Sequence, residues 1–157
     1  MHSLSIDEQP IDTSGALSVY HAALDELARR YGGDADAHHL STEEMQPPLG
    51  VFIVARVDGH LAGGVGIRSI SDPDAHFGEI KRLWVRPDLR RTGVASALMS
   101  AIEEWARHVG YRHLYLETGD AQPEARAFYP RTGWTPIAEF PPDAFSYPTA
   151  FRFTKAL

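Results

Sequence analysis

Residues 79–110 read EIKRLWVRPDLRRTGVASALMSAIEEWARHVG, and the order of signals in this stretch decides the architecture. Ile80 to Val85 is a strand-like run, and Arg86-Pro87-Asp88 turns the chain. Beyond Thr92-Gly93, the apolar residues Val94, Leu98, Ala101, Ile102, Trp105 and Val109 recur at spacings of three and four, which predicts an amphipathic helix over 92–109. Gly110 supplies its stop. The charge at its start is the anomaly. Arg90 and Arg91 set two cations beside the positive end of a helix dipole, which ordinarily destabilises. A bound polyanion removes the conflict, because free backbone N–H groups, dipole and guanidinium groups would all face its oxygens. Gly93 and Ala95 leave room for such a group to approach the backbone.

The flanking sequence reads as alternating strands and helices. Strands are expected at about 4–7, 51–57, 60–70, 79–85, 113–117, 134–138 and 148–154, and helices at 14–31, 92–109 and 122–131. Asp58-Gly59 is a two-residue hairpin signal, and a short helix is expected from the Ser41-Thr42-Glu43-Glu44 run. The strand–helix–strand unit of 79–117 makes a parallel pair, since only a crossover joins neighbouring strands this way. The expected fold is therefore one mixed α/β domain over 1–157, largely antiparallel, with a parallel core unit flanked by helices.

Composition excludes several classes of function. Fifteen Lys plus Arg against 21 Asp plus Glu give a net charge of −6, unsuited to sequence-independent nucleic-acid binding. No apolar run reaches membrane length, and the first residues lack the basic and apolar regions of a signal peptide. There is no cysteine, so disulfides and thiol catalysis are excluded, and a cytoplasmic location fits. His38-His39 has no partner at metal-ligand spacing, so no metal is expected. Against this acidic background Arg82, Arg86, Arg90 and Arg91 fall close together, a local site for an anion.

Arg90-x-x-Gly93-x-Ala95 after a strand resembles the acyl-CoA signature of the GNAT N-acetyltransferase superfamily. The segment 79–87 resembles that family's fourth strand, and Ala125-Arg126-Ala127-Phe128-Tyr129 with Thr132-Gly133-Trp134 its last helix and following turn. The resemblance runs from about Val51 to the C-terminus. It implies acetyl-CoA as co-substrate and acetyl transfer to a primary amine of a small molecule or peptide. The pyrophosphate would lie on Arg90, Arg91, Thr92, Gly93, Val94, Ala95 and Ser96. Leu83, Trp84 and Val85 would flank the pantetheine arm, and Gln122 and Arg126 would also contact the cofactor. Gln122 stands where many relatives carry asparagine.

Tyr129 matches the tyrosine that protonates the leaving thiolate, and a phenol near pKa 10 is close enough to a thiol near 8.5 to share a proton in a dry pocket. Glu79 matches a glutamate that some members use, through water, to deprotonate the amine. Glu117 on the next strand is the second candidate. Strand-edge homodimers are frequent in the family. The same fold also supports an alternative, a sensor that binds acyl-CoA without turnover.

Two local patterns keep double readings. Leu83-Trp84-Val85 interrupts two-residue alternation, so the strand is either buried on both faces or bulged. Gly64 and Gly66 share one face, where a neighbouring backbone or a ligand would come close. The loops 31–48 and 138–147 are expected to shape the acceptor pocket, and Asp34, Asp36, Glu43 and Glu44 in the first of them favour a cationic acceptor.

Overall fold

A computed structural model describes residues 2–32 and 42–157. The chain builds a seven-stranded sheet in the order β1-β2-β3-β4-β5-β7-β6. The strands are β1 Leu4–Gln9, β2 Val51–Val57, β3 His60–Ile70, β4 Phe77–Val85, β5 His113–Thr118, β6 Thr135–Ile137 and β7 Phe151–Ala156. The α-helices are α1 Ser14–Tyr31, α2 Val94–Val109 and α3 Pro123–Arg131. Every neighbouring pair is antiparallel except β4 with β5, as the crossover through α2 requires. His38-His39, Asp34 and Asp36 lie outside the described residues.

Two apolar layers hold the sheet between helices. On one face Leu98, Ile102 and Ala106 of α2 pack on Ile53, Ile67, Ile80, Leu114 and Leu116. On the other, Ala16, Val19 and Tyr20 of α1 pack on Phe52 and Val54. Leu98 and Ile102 are wholly buried, each contributing about 1.5–3 kcal/mol relative to exposure. The two chosen faces follow from strand periodicity, since consecutive residues of β2 point to opposite helices.

Alternation in β4 breaks where the sequence suggested. Gly64 pairs with Trp84 but Gly66 pairs with Lys81, so β4 carries one residue more than β3 at this point. Arg82 takes φ +60 within the bulge. The bulge turns β4 away from β5, and their parallel ladder ends at Glu79↔Tyr115. Beyond that rung the two strands diverge, and the gap between them opens into a cleft of about 1300 Å³.

Some element limits differ from the sequence reading. β4 begins at Phe77, which places Glu79 inside the strand instead of at its opening. α2 begins at Val94, because Gly93 holds the left-handed N-cap position at φ +95. β7 begins at Phe151, leaving Pro148-Thr149-Ala150 in the preceding loop.

Candidate active site

The cleft is floored by Ile80 to Val85 of β4, Leu116 to Thr118 of β5 and the following Gly119. One end carries Arg90, Arg91, Gly93, Ala95 and Ser96, and Gln122, Phe128 and Tyr129 line the α3 side. Most of the sequence-expected residues thus meet in one place. Four do not line it, Glu79 among them. Val94 is buried in the core beneath α2, and Thr92 is exposed, its hydroxyl donating to the Leu89 carbonyl. Arg126 lies over the Phe151 ring, 3.7 Å from its centroid, where its exposed guanidinium packs instead of lining the cleft.

At the α2 end the geometry forms an anion cradle. The first intrahelical bond runs from Ala97 N–H to the Gly93 carbonyl, so the N–H groups of Val94, Ala95 and Ser96 have no carbonyl within the helix. Arg91, at φ +63, and Gly93 are both left-handed, an arrangement that turns successive N–H groups inward. A Cβ on Gly93 would enter open space, the volume that an approaching phosphate needs.

The two arginines divide the work. Arg90 donates through Nε to the Val85 carbonyl (2.8 Å) and through Nη2 to Glu26 of α1 (2.5 Å), which fixes the loop to β4 and α1. Arg91 is exposed on the cleft rim. The Val85 carbonyl therefore already has a partner, whereas among the described residues no strand pairs with the β5-facing edge of β4 near Leu83.

The two candidate bases differ sharply. Glu79 is 1% exposed, does not line the cleft, and accepts from Arg68 Nε at 2.9 Å. Arg68 also pairs with Glu44, so that acidic residue holds the scaffold and is not left for an acceptor. Glu117 lines the cleft. Its Oε2 accepts from Ser146 Oγ (2.6 Å) and from Tyr147 N–H (3.2 Å), and Ser146 is in turn held by Arg152 Nε (2.5 Å). Its Oε1 is buried without a hydrogen-bond partner among the described residues. Desolvation pushes the Glu117 pKa above the usual glutamate value, opposed by Ser146, Lys81 and Tyr147.

Tyr129 is buried among Phe128, Trp134 and Phe153, and desolvation raises its pKa above that of a free phenol. Gln122 uses its amide oxygen internally, accepting from Tyr31 Oη (3.1 Å) and Gly119 N–H (3.3 Å). Sequence reasoning missed α1's share of the site. Arg30 pairs with Glu124 and donates to the Ala121 carbonyl (2.8 Å), so the end of α1 is bound to the start of α3 across the cleft. Its long-range partners leave no periodic trace in sequence.

Among the described residues no helix is long and apolar enough to cross a membrane. The chain is similar to an IAA acetyltransferase of Azospirillum brasilense, with 35% identity over 124 residues, 74% of this chain and 80% of that protein. The Escherichia coli N-acetyltransferase YjgM is 30% identical over 90 residues, 57% of this chain and 54% of that protein. In three dimensions a GNAT-family acetyltransferase of Staphylococcus aureus matches with TM-score 0.79 at 17% identity, covering 98% of this chain and 99% of that one. The PaiA N-acetyltransferase of Thermoplasma acidophilum, solved in complex with coenzyme A, matches with TM-score 0.74 at 15% identity over 99% of both chains. Residues 18–134 match the model of the Acetyltransferase (GNAT) family, which takes in the cleft-forming bulge, the cradle and Tyr129, and the chain belongs to that family.

Proposed function

We propose that this chain is an acetyl-CoA-dependent N-acetyltransferase that moves an acetyl group directly to a primary amine in a ternary complex. The observation that carries the reading is the parting of β4 from β5 beyond Glu79 and Tyr115. It brings Glu117, Tyr129 and the α2 cradle onto one cleft. The residues fit coenzyme A: the open space at Gly93 and the first-turn amides suit a pyrophosphate, and the β4 edge near Leu83 offers backbone groups to an amide-bearing arm. Similarity in fold to a protein solved in complex with coenzyme A supports the choice of that ligand.

Acetyl-CoA supplies the acyl group as a thioester. Glu117 takes a proton from the amine as the new C–N bond forms, directly or through one water. Tyr129 gives its phenolic proton to sulfur as the C–S bond breaks. Burial keeps Tyr129 protonated at neutral pH, and the same dry surroundings raise the basicity of a thiolate beside it. Glu79 and Arg68 hold the strand on which the cleft opens. With no cysteine in the chain, a cysteinyl acyl-enzyme is excluded, which is why transfer is direct.

The test is thiol release from acetyl-CoA with a panel of amines, followed by initial rates at varied concentrations of both substrates. Amine-dependent release with intersecting double-reciprocal lines is expected. Coenzyme A binding without release from any amine would favour a sensor on the same fold, and parallel lines would contradict direct transfer.

A further inference from the structure

The bulge in β4 has a feature that splaying alone does not require. Its left-handed residue is Arg82, at φ +60, a conformation that strains any residue but glycine. This arginine is 6% exposed, and its guanidinium lies 5.5 Å from the centre of the Tyr20 ring on α1. A bulge re-aims a side chain, and here the one re-aimed is long, cationic and buried.

Its neighbours point the same way. Lys81 and Trp84 pair with Gly66 and Gly64, where an added Cβ would meet Met45, Phe52 and Val19. Cross-strand partners share a face, so both side chains stand on the face that α1 covers. The Trp84 indole N–H is buried with no hydrogen-bond partner among the described residues. Lys81, Arg82 and Trp84 all line the cleft, and none of them can accept a hydrogen bond. Across the gap, β5 presents the opposite chemistry. Glu79 shares a face with Lys81 and pairs with Tyr115, so Glu117, two residues on, stands on that face too. The acceptor side of the cleft therefore has donors on β4, of which Lys81 Nζ also lies 3.8 Å from Glu79 Oε2, and one carboxylate on β5.

A ligand that matches the charge of both walls brings an amine to Glu117 and an acceptor-only, anionic group to β4. Resting on the acetyltransferase reading, we propose that the acetyl acceptor is an amine bearing a carboxylate near the amino group, an amino acid or a close analogue, and that Arg82 selects the carboxylate. A planar guanidinium suits that group, since it can donate two parallel N–H bonds to it.

Matched pairs that differ only in the carboxylate provide the test: phenylalanine with phenethylamine, tyrosine with tyramine, and lysine with cadaverine, each with acetyl-CoA. The wild type is expected to acetylate at least one acid with kcat/KM tenfold or more above its decarboxylated partner. Arg82→Gln should bring that pair within about twofold, through KM, while coenzyme A affinity stays unchanged. Should Arg82→Gln fail to fold, Lys81→Gln with the same pairs serves, with the same direction expected. Equal or better turnover of the plain amines overturns the proposal, as does a folded variant that keeps the preference. Failure to acetylate any of the acids overturns it as well. Transfer to plain amines in that case would leave the acetyltransferase reading standing, whereas absence of both transfer and coenzyme A binding would remove that reading too.

Discussion

Arg68 and Glu79 form a buried pair across β3 and β4, with Nε and Nη2 of the arginine both 2.9 Å from one carboxylate oxygen. The pair keeps the Glu79 carboxylate engaged and away from the cleft despite its position on the strand. Its free energy is invested in charge neutralisation between two residues with little solvent around them, and a proton acceptor needs access to the amine. Glu79→Gln should therefore lower thermal stability, by about 1–3 kcal/mol for a buried guanidinium losing its charged partner. The pH dependence of kcat/KM should keep the wild-type apparent pKa. Loss of the acidic limb in a folded Glu79→Gln protein would return the base role to Glu79.

Glu117 should govern that limb. Burial raises its pKa, and a base works only when ionised, so the acidic limb of kcat/KM should fall above the ordinary glutamate value. The same shift makes Glu117 a stability group of opposite sign. Its neutral form is favoured in the fold, so its contribution is full below the unfolded pKa and is lost as pH rises through the folded one. Glu117→Gln should lower kcat/KM at neutral pH by about 10²–10⁴-fold and abolish the limb, without weakening coenzyme A binding. Rates measured across pH with an amine of known pKa check this.

Tyr129→Phe removes only a hydroxyl from a ring packed on Trp134 and Phe153. Affinity for acetyl-CoA should persist while kcat falls on the order of 10²-fold, because the proton matters as charge grows on sulfur. Turnover at the wild-type rate would make Tyr129 a packing residue and leave thiolate protonation to water.

The two cradle arginines should separate by readout. Arg91→Gln is expected to weaken coenzyme A binding and reduce its salt dependence while leaving the melting temperature near wild type. Arg90→Gln should lower both affinity and melting temperature, since Arg90 ties the loop to Val85 and Glu26. Calorimetric titrations at two salt concentrations, with thermal melts, measure all four quantities.

Local signals made much of this legible in sequence. The β4–α2–β5 unit, the hairpin at Asp58-Gly59 and the cradle around Gly93 are written in short-range patterns of spacing, turn residues and dipole charge. The broken alternation at Leu83-Trp84-Val85 admitted a bulge, and the structure has one beside Arg82. What escaped was pairwise and long-range. Glu79 and Arg68 meet through strand register, Glu26 and Arg90 through the approach of α1 to the α2 loop, and Arg126 and Phe151 through packing of α3 on β7. Choosing between Glu79 and Glu117 required knowing which carboxylate was already neutralised, and that depends on partners distant in sequence.

The central claim is that coenzyme A occupies the gap between β4 and β5 with its pyrophosphate at the start of α2. A crystal structure of the chain grown with coenzyme A tests it most directly. Phosphate oxygens are expected on the N–H groups of Val94, Ala95 and Ser96, the arm beside Leu83, and the sulfur near Tyr129. Coenzyme A bound elsewhere, or a closed β4–β5 gap with the cradle empty at saturating ligand, would contradict it.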